Sequence, residues 1–204
     1  MNCLAPKKNL LCSGMKKTIP PPRPYCILGI DPGTNVMGYA VLEVAGQKIR
    51  ALDIGVVYMK HLDQHQYKLK KIFERLQAII QTYQPREMAV EAPFYGKNPQ
   101  SMLKLGRAQG VAIAAAITQG VEVTEYSPKK VKSAVTGNGN AAKEQVAAML
   151  AAILKVQLDD QYLDATDALA VALCHHYQTG STRFNQKRYS DWSAFLKDHP
   201  NRKG

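Results

Sequence analysis

The stretch ILGIDPGTNVMGYAVLEV, residues 27–44, limits the fold of this 204-residue chain more than any other. Two apolar runs flank Pro32-Gly33-Thr34-Asn35. Short apolar runs bounded by Pro and Gly read as strands. A Pro-Gly pair suits the middle of a tight turn, with glycine supplying a positive φ. The pattern predicts strands over 26–31 and 36–44, and a third over about 49–59 after the Ala45-Gly46 turn. Three consecutive strands on short connections make an antiparallel meander.

Then the period changes. Leu69, Ile72, Phe73, Leu76, Ile79, Ile80 and Tyr83 share one helical face, and Pro85 ends that helix. EMAVEA (87–92) reads as a short strand closed by Pro93. A helix over 99–119 and a strand over 121–126 follow. Ser127-Pro128 supplies a cap and a first-turn proline for a short helix to Val135. Helices over 141–155 and about 164–178 complete the order βββ-α-β-α-β-α-α-α. That order predicts an α/β fold: a mixed sheet, antiparallel meander plus parallel strands, flanked by helices.

Two strands end on an acid at a chain break. Asp31 closes CILGI before Pro-Gly, and Glu91 closes MAV before Ala-Pro. If those strands are neighbours, both carboxylates open onto one rim, where open α/β sheets gather their ligand sites. Asp164 and Asp167, in LDATDALAVAL, stand i, i+3 on one helix face. Apolar turns follow them, so the helix packs on the sheet and its acidic first turn reaches the rim. Each acid also has an ordinary reading. Asp31 suits a turn, and Asp164 and Asp167 suit a helix N-terminus, as cap and as partner of its dipole. Glu91 is harder to explain so, because glutamate is a poor strand residue in an apolar run. Four carboxylates together raise one another's pKa values unless cations bind between them. Such oxygens suit Mg²⁺ or Mn²⁺, and two such ions about 4 Å apart suit in-line displacement at phosphorus.

The net charge is +11, but the termini carry most of it. Residues 1–24 contribute +5 and residues 180–204 contribute +4, leaving +2 for 25–179. Within that remainder, 97–143 hold seven basic residues against Glu122 and Glu125, a local basic patch. Residues 1–25 read as a basic, Pro-rich arm without regular structure, in which Met15 is an alternative start. Residues 179–204 read as a basic and aromatic tail, where Trp192, Phe195 and Leu196 share one side of a short helix fit for a protein contact. The N-terminus lacks the apolar centre of a secretory signal, and no apolar run is long enough to span a membrane. The expected location is the cytoplasm. The four cysteines show no metal-ligand spacing and read as reduced thiols.

Four blocks together, GIDPGTNVMGYAVLE, VEAPFYGKNPQSMLKLGRAQG, VKSAVTGNGNAAKEQV and DATDALAVALCH, resemble the RuvC family of Holliday-junction resolvases in the same order. The resemblance covers about residues 26–178. It implies a ribonuclease-H-like fold, a homodimer, and Mg²⁺-dependent endonuclease action on four-way junction DNA, with two ions per site. It also implies partnership with the RuvA-RuvB branch-migration complex. The family's catalytic, metal-binding acids fall on Asp31, Glu91, Asp164 and Asp167, the four already singled out. Its base-stacking aromatic falls on Phe94, and its basic residues near the cut strand fall on Lys132 and Lys143. A ring tucked into the core is the ordinary reading of Phe94, and a solvated side chain that of Lys143.

Two other classes compete. IDPGTNVMGYAV also resembles the phosphate-gripping hairpin of actin and sugar-kinase ATP-binding proteins, but those clamp nucleotide between two subdomains and this chain has room for one. A junction-binding protein without cleavage is disfavoured because all four acids are present. In the helix over 99–119, Gly106, Gly110 and Ala114 recur every four residues. That small-residue face either lies on the sheet or meets a second subunit.

Overall fold

The computed structural model describes residues 23–93, 98–157 and 163–185. Phe94 and nearly all of both terminal segments lie outside them. Five strands form one sheet: β1 (Tyr25–Asp31), β2 (Val36–Ala45), β3 (Lys48–Tyr58), β4 (Glu87–Glu91) and β5 (Glu122–Tyr126). Their order is β3-β2-β1-β4-β5. The β1–β2 and β2–β3 pairs are antiparallel, and β4 pairs in parallel with both β1 and β5. The meander, the mixed sheet and the order of elements are as the sequence predicts.

Helices cover both faces, which is why β1 and β4 read as continuous apolar runs. On one face lie α1 (His65–Tyr83) and α2 (Pro99–Ile117). They pack Ile72, Leu76, Ala108 and Ala112 against Leu28, Ile30, Met88 and Val90. On the other face lie α3 (Pro128–Thr136), α4 (Lys143–Leu154) and α5 (Leu163–Asn185). They bury Val131, Leu150 and Leu169 with Ile27, Ala40, Leu42 and Ala89. Among the described residues, no helix is long and apolar enough to cross a membrane.

The closest packing is between α5 and the two central strands. A methyl placed on Gly29 falls on the Ala168 carbonyl oxygen and comes within 2.7 Å of the Ala172 side chain. One placed on Gly38 falls on the Asp164 carbonyl. Only glycine at both positions lets the first turns of α5 lie directly on β1 and β2.

Several local expectations are corrected. Gly33 does not have a positive φ; Gly46, Gly120 and Gly137 do. Gly33 is required for space instead, because a side chain there meets the Val36 carbonyl across the hairpin turn. Ser127 occupies the N-cap of α3 but makes no side-chain cap bond. Asp164 lies inside the first turn of α5 rather than capping it, since the helix starts at Leu163. That helix also continues to Asn185, past the expected end at 178. The sheet-facing side of α2 is Ala108, Ala112, Ala115 and Ala116. Gly106, Gly110 and Ala114 are exposed on its other side.

Gly38→Ala is expected to destabilise the protein by roughly 1–3 kcal/mol, as overpacked sites do. Urea unfolding measures this, and a midpoint equal to wild type contradicts the seating of α5.

Candidate active site

Ile30 pairs with Val90 across the parallel β1–β4 ladder. The next residues, Asp31 and Glu91, therefore end side by side at one rim. Their faces follow from the period-2 alternation of strands. Ile27 and Gly29 face α5, whereas Leu28 and Ile30 face α1 and α2. Asp31 shares the α5 face. In β4, Ala89 faces α5 and Met88 and Val90 face away, so Glu91 shares that face too. Gly38 lies opposite Asp31 in β2, and the backbone of Asp164 rests on Gly38. The seating of α5 thus carries its acidic first turn to the same rim. All four acids are half-buried there.

Their electrostatics show the proximity. The Asp31 carboxyl is pushed up to about 8, first by burial and then by the charges of Glu91, Asp167 and Asp164. Glu91 is pushed up to about 7 by burial and by Asp167, with Lys143 and Lys132 partly offsetting this. Lys143 donates to Asp167 Oδ2 at 2.6 Å. That bond raises the Lys143 ammonium above its ordinary value, and Asp31 and Asp164 add to the effect. The lysine is exposed but not free: its ammonium is held by Asp167 at the edge of the acidic group. Lys132, half-buried on α3, lies close enough to stabilise the Glu91 carboxylate.

Among the described residues, no three His, Cys, Asp or Glu side chains stand in a ready-made metal-ligand arrangement. The donor chemistry nonetheless fits a divalent cation. Four carboxylates converge with no sulfur or imidazole donor, a set that suits a hard, oxygen-seeking ion. Asp31 and Glu91 are pushed well above the usual carboxylate range, and the lysines beside them, Lys143 and Lys132, only partly offset this. An ion with more charge and more coordination sites answers both conditions.

A small cleft opens beside Asp31 and Glu91. It is lined by Pro32, Ala92 and Pro93, and from α2 by Leu105 and Gln109. Gln109 is buried and donates to Glu125 at 2.8 Å, which fixes it at the cleft wall. These two α2 residues were not singled out from sequence. The available signal was their i, i+4 spacing on the helix that follows the Glu91 loop.

A family model described as crossover junction endodeoxyribonuclease RuvC matches residues 27–175. The chain belongs to the RuvC family. Members it resembles include those of Cytophaga hutchinsonii, 54% identical over 86% of each chain, and of Christiangramia forsetii, 52% identical over 85% of this chain and 90% of the relative. The chain is also similar to the solved structure of Thermus thermophilus RuvC in complex with Holliday junction substrate. The two are 34% identical, with a TM-score of 0.71 over 76% of this chain and 94% of that one. All four acids, Lys132 and Lys143 lie inside the matched RuvC span.

A carboxyl whose folded pKa lies above its unfolded value stabilises the fold at low pH and loses that contribution as pH rises. For Asp31 the loss runs from about pH 4 to about pH 8. With divalent ions removed, Asp31→Asn is therefore expected to match wild type near pH 4. It should melt higher at pH 8 and above, by roughly 2–4 °C per kcal/mol of relieved charge burial. Calorimetry across that range measures the difference, and parallel melting curves at every pH contradict the shared acidic pocket.

Proposed function

We propose that this chain is a structure-selective endonuclease that resolves four-way (Holliday) DNA junctions by paired symmetric nicks, in homologous recombination and repair. The observation that carries this reading is the convergence of Asp31, Glu91, Asp164 and Asp167 at one rim of a RuvC-family fold. T. thermophilus RuvC, the similar solved structure, is described in complex with a Holliday junction substrate.

The four acids are the candidate holders of divalent ions, Mg²⁺ with Mn²⁺ as a substitute, two to a site. The chemistry such ions supply when bound is Lewis acidity toward an attacking water and toward the leaving 3′ oxygen. The chain's own residues do the rest. Asp31 and Glu91 project from the ends of hydrogen-bonded strands, so their oxygens are held by rigid backbone. Asp164 and Asp167 come from a helix packed flat on that sheet. Lys132 and Lys143 bring positive charge to the side where a scissile phosphate would lie, and Lys143 can exchange Asp167 for a phosphate oxygen. Phe94, which follows Pro93 in the sequence, is the candidate ring for stacking on an unpaired base.

Paired nicks require two sites. The exposed side of α2 supports a two-fold dimer: Leu103 and Ile117 are exposed, and among the described residues nothing stands within 4 Å of a methyl placed on Gly106 or Gly110. A dimer of this kind presents two acidic rims to two symmetric strands. The RuvA-RuvB branch-migration complex is the proposed partner in the cytoplasm.

Two outcomes test the reading. Asp164→Asn is expected to lower nicking of a synthetic mobile four-way junction by roughly a hundredfold or more, with junction binding retained. Persistent nicking refutes the assignment. Independently of activity, Mg²⁺ or Mn²⁺ is expected to raise the melting temperature of wild type, and a chelator to reverse the rise. The double variant Asp31→Asn/Asp164→Asn should show no such rise, and an equal rise in that variant places the ions elsewhere.

A further inference from the structure

A second cleft, of about 240 Å³, opens on the same rim across the β1–β2 turn from the acidic one. Its walls are Thr34 and Asn35 of that turn, Asp63 and the first turn of α1, and Ser101 and Lys104 of α2. The two clefts share both structural elements. Pro32 lines the acidic cleft and Asn35 the other; Leu105 lines the acidic cleft and Ser101 the other. Along α2 the clefts are therefore about one helical turn apart, roughly 5–6 Å.

The second cleft has the opposite charge. Lys68 and Lys104 line it, and Asp63 is the one carboxylate in its wall. Arg107 lies near enough that its charge, with those of Lys104 and Lys68, disfavours protonation of the His65 ring, though burial is the larger cause. Among the described residues neither Lys104 nor Arg107 has an ion-pair partner. Lys68 donates to Asn35 Oδ1 at 2.8 Å, which orients its ammonium and leaves two donors over. The His65 ring also lines the cleft, with its Nε2 shielded from solvent and without a hydrogen-bond partner among the described residues. The N-termini of α1 and α2 both open here, and Gln64 makes no side-chain cap bond to α1. Their dipoles add to the same positive field.

We propose that this cleft grips a phosphodiester of the DNA backbone beside the acidic site, with Lys68 and Lys104 as partners of its oxygens. The proposal rests on the endonuclease reading and extends it from the reacting bond to the strand that carries it. A strand laid along the rim crosses both clefts, so the grip sets which length of backbone lies over the acids. It reads charge and shape rather than bases, as phosphate contacts do.

The test is junction binding in chelator across a salt series, with nicking measured separately at saturating enzyme and Mg²⁺. The variant is Lys68→Ala/Lys104→Ala. The charge-matched control is Lys48→Ala/Arg50→Ala, at the far end of β3. The cleft variant is expected to bind roughly tenfold more weakly, with the slope of log affinity against log salt reduced by about 1 to 2. At saturating enzyme its nicks should be spread over more phosphodiesters than those of wild type, because the grip sets which length of backbone lies over the acids. The control should leave affinity and slope at their wild-type values. Unchanged affinity and slope in the cleft variant, or an equal loss in the control, overturns the cleft while leaving the nuclease reading intact. Failure of wild type to bind or nick any branched DNA sinks that reading and the cleft with it.

Discussion

The direct contact of one helix backbone with two strand backbones governs this structure. Gly29 and Gly38, on the same face of β1 and β2, let α5 settle so closely that its carbonyl oxygens occupy the space of absent side chains. Helix-on-sheet packing ordinarily has a layer of side chains between the elements. Removing that layer fixes the helix in height and register, and register decides where its first turn ends. Asp164 and Asp167 reach the rim for this reason, and they meet Asp31 and Glu91 there because β1 and β4 run parallel and end together.

The acidic rim is costly, and a comparison within β4 shows how costly. Glu87 and Glu91 lie on the same face of one strand. Glu87 is buried, but His175 Nε2 lies 2.8 Å from one oxygen and Arg86 Nε donates to the other at 3.1 Å. Tyr126 completes that network at 2.9 Å from His175 Nδ1. Four residues on, Glu91 has the charges of Lys132 and Lys143 nearby but carboxylates as well, and its pKa rises. One end of the strand satisfies its acid and the other frustrates it. Active sites arrange burial and like-charge pairs to perturb carboxyls in this way, and the proposed function rests on that arrangement. The same rim then changes sign within one turn of α2, from acids that suit metal to lysines that suit phosphate.

The strands and most helices were legible because their patterns are local. Alternation in β1 and β2, the apolar stripe of α1 and the prolines that close elements all lie within a few residues of what they determine. The four acids were legible for a related reason: each stands at an element's end, where a carboxylate in an apolar run is conspicuous. What depends on distant pairings was not legible. Gly38 against Asp164, Gln109 against Glu125 and His175 against Glu87 are fixed by the packed sheet, and the last pair is separated by 88 residues. Gly33 shows the same limit: its identity fits a turn, but crowding rather than φ explains it. The helix running through Gly180 to Asn185 shows that weak helix formers mark an end only when packing agrees. The ambiguity over α2 was of this kind too, since only the sheet decides which of its two small-residue faces is covered.

The account depends on a pocket of oxygens, brought together from distant parts of the chain, that takes up divalent metal. Anomalous diffraction from Mn²⁺-soaked crystals of the protein alone tests this most directly. The account predicts manganese peaks in contact with the carboxylates of Asp31, Glu91, Asp164 and Asp167, with the Lys143 ammonium displaced from Asp167. Manganese bound only elsewhere, or an Asp167 still paired to Lys143 at saturating metal, contradicts it.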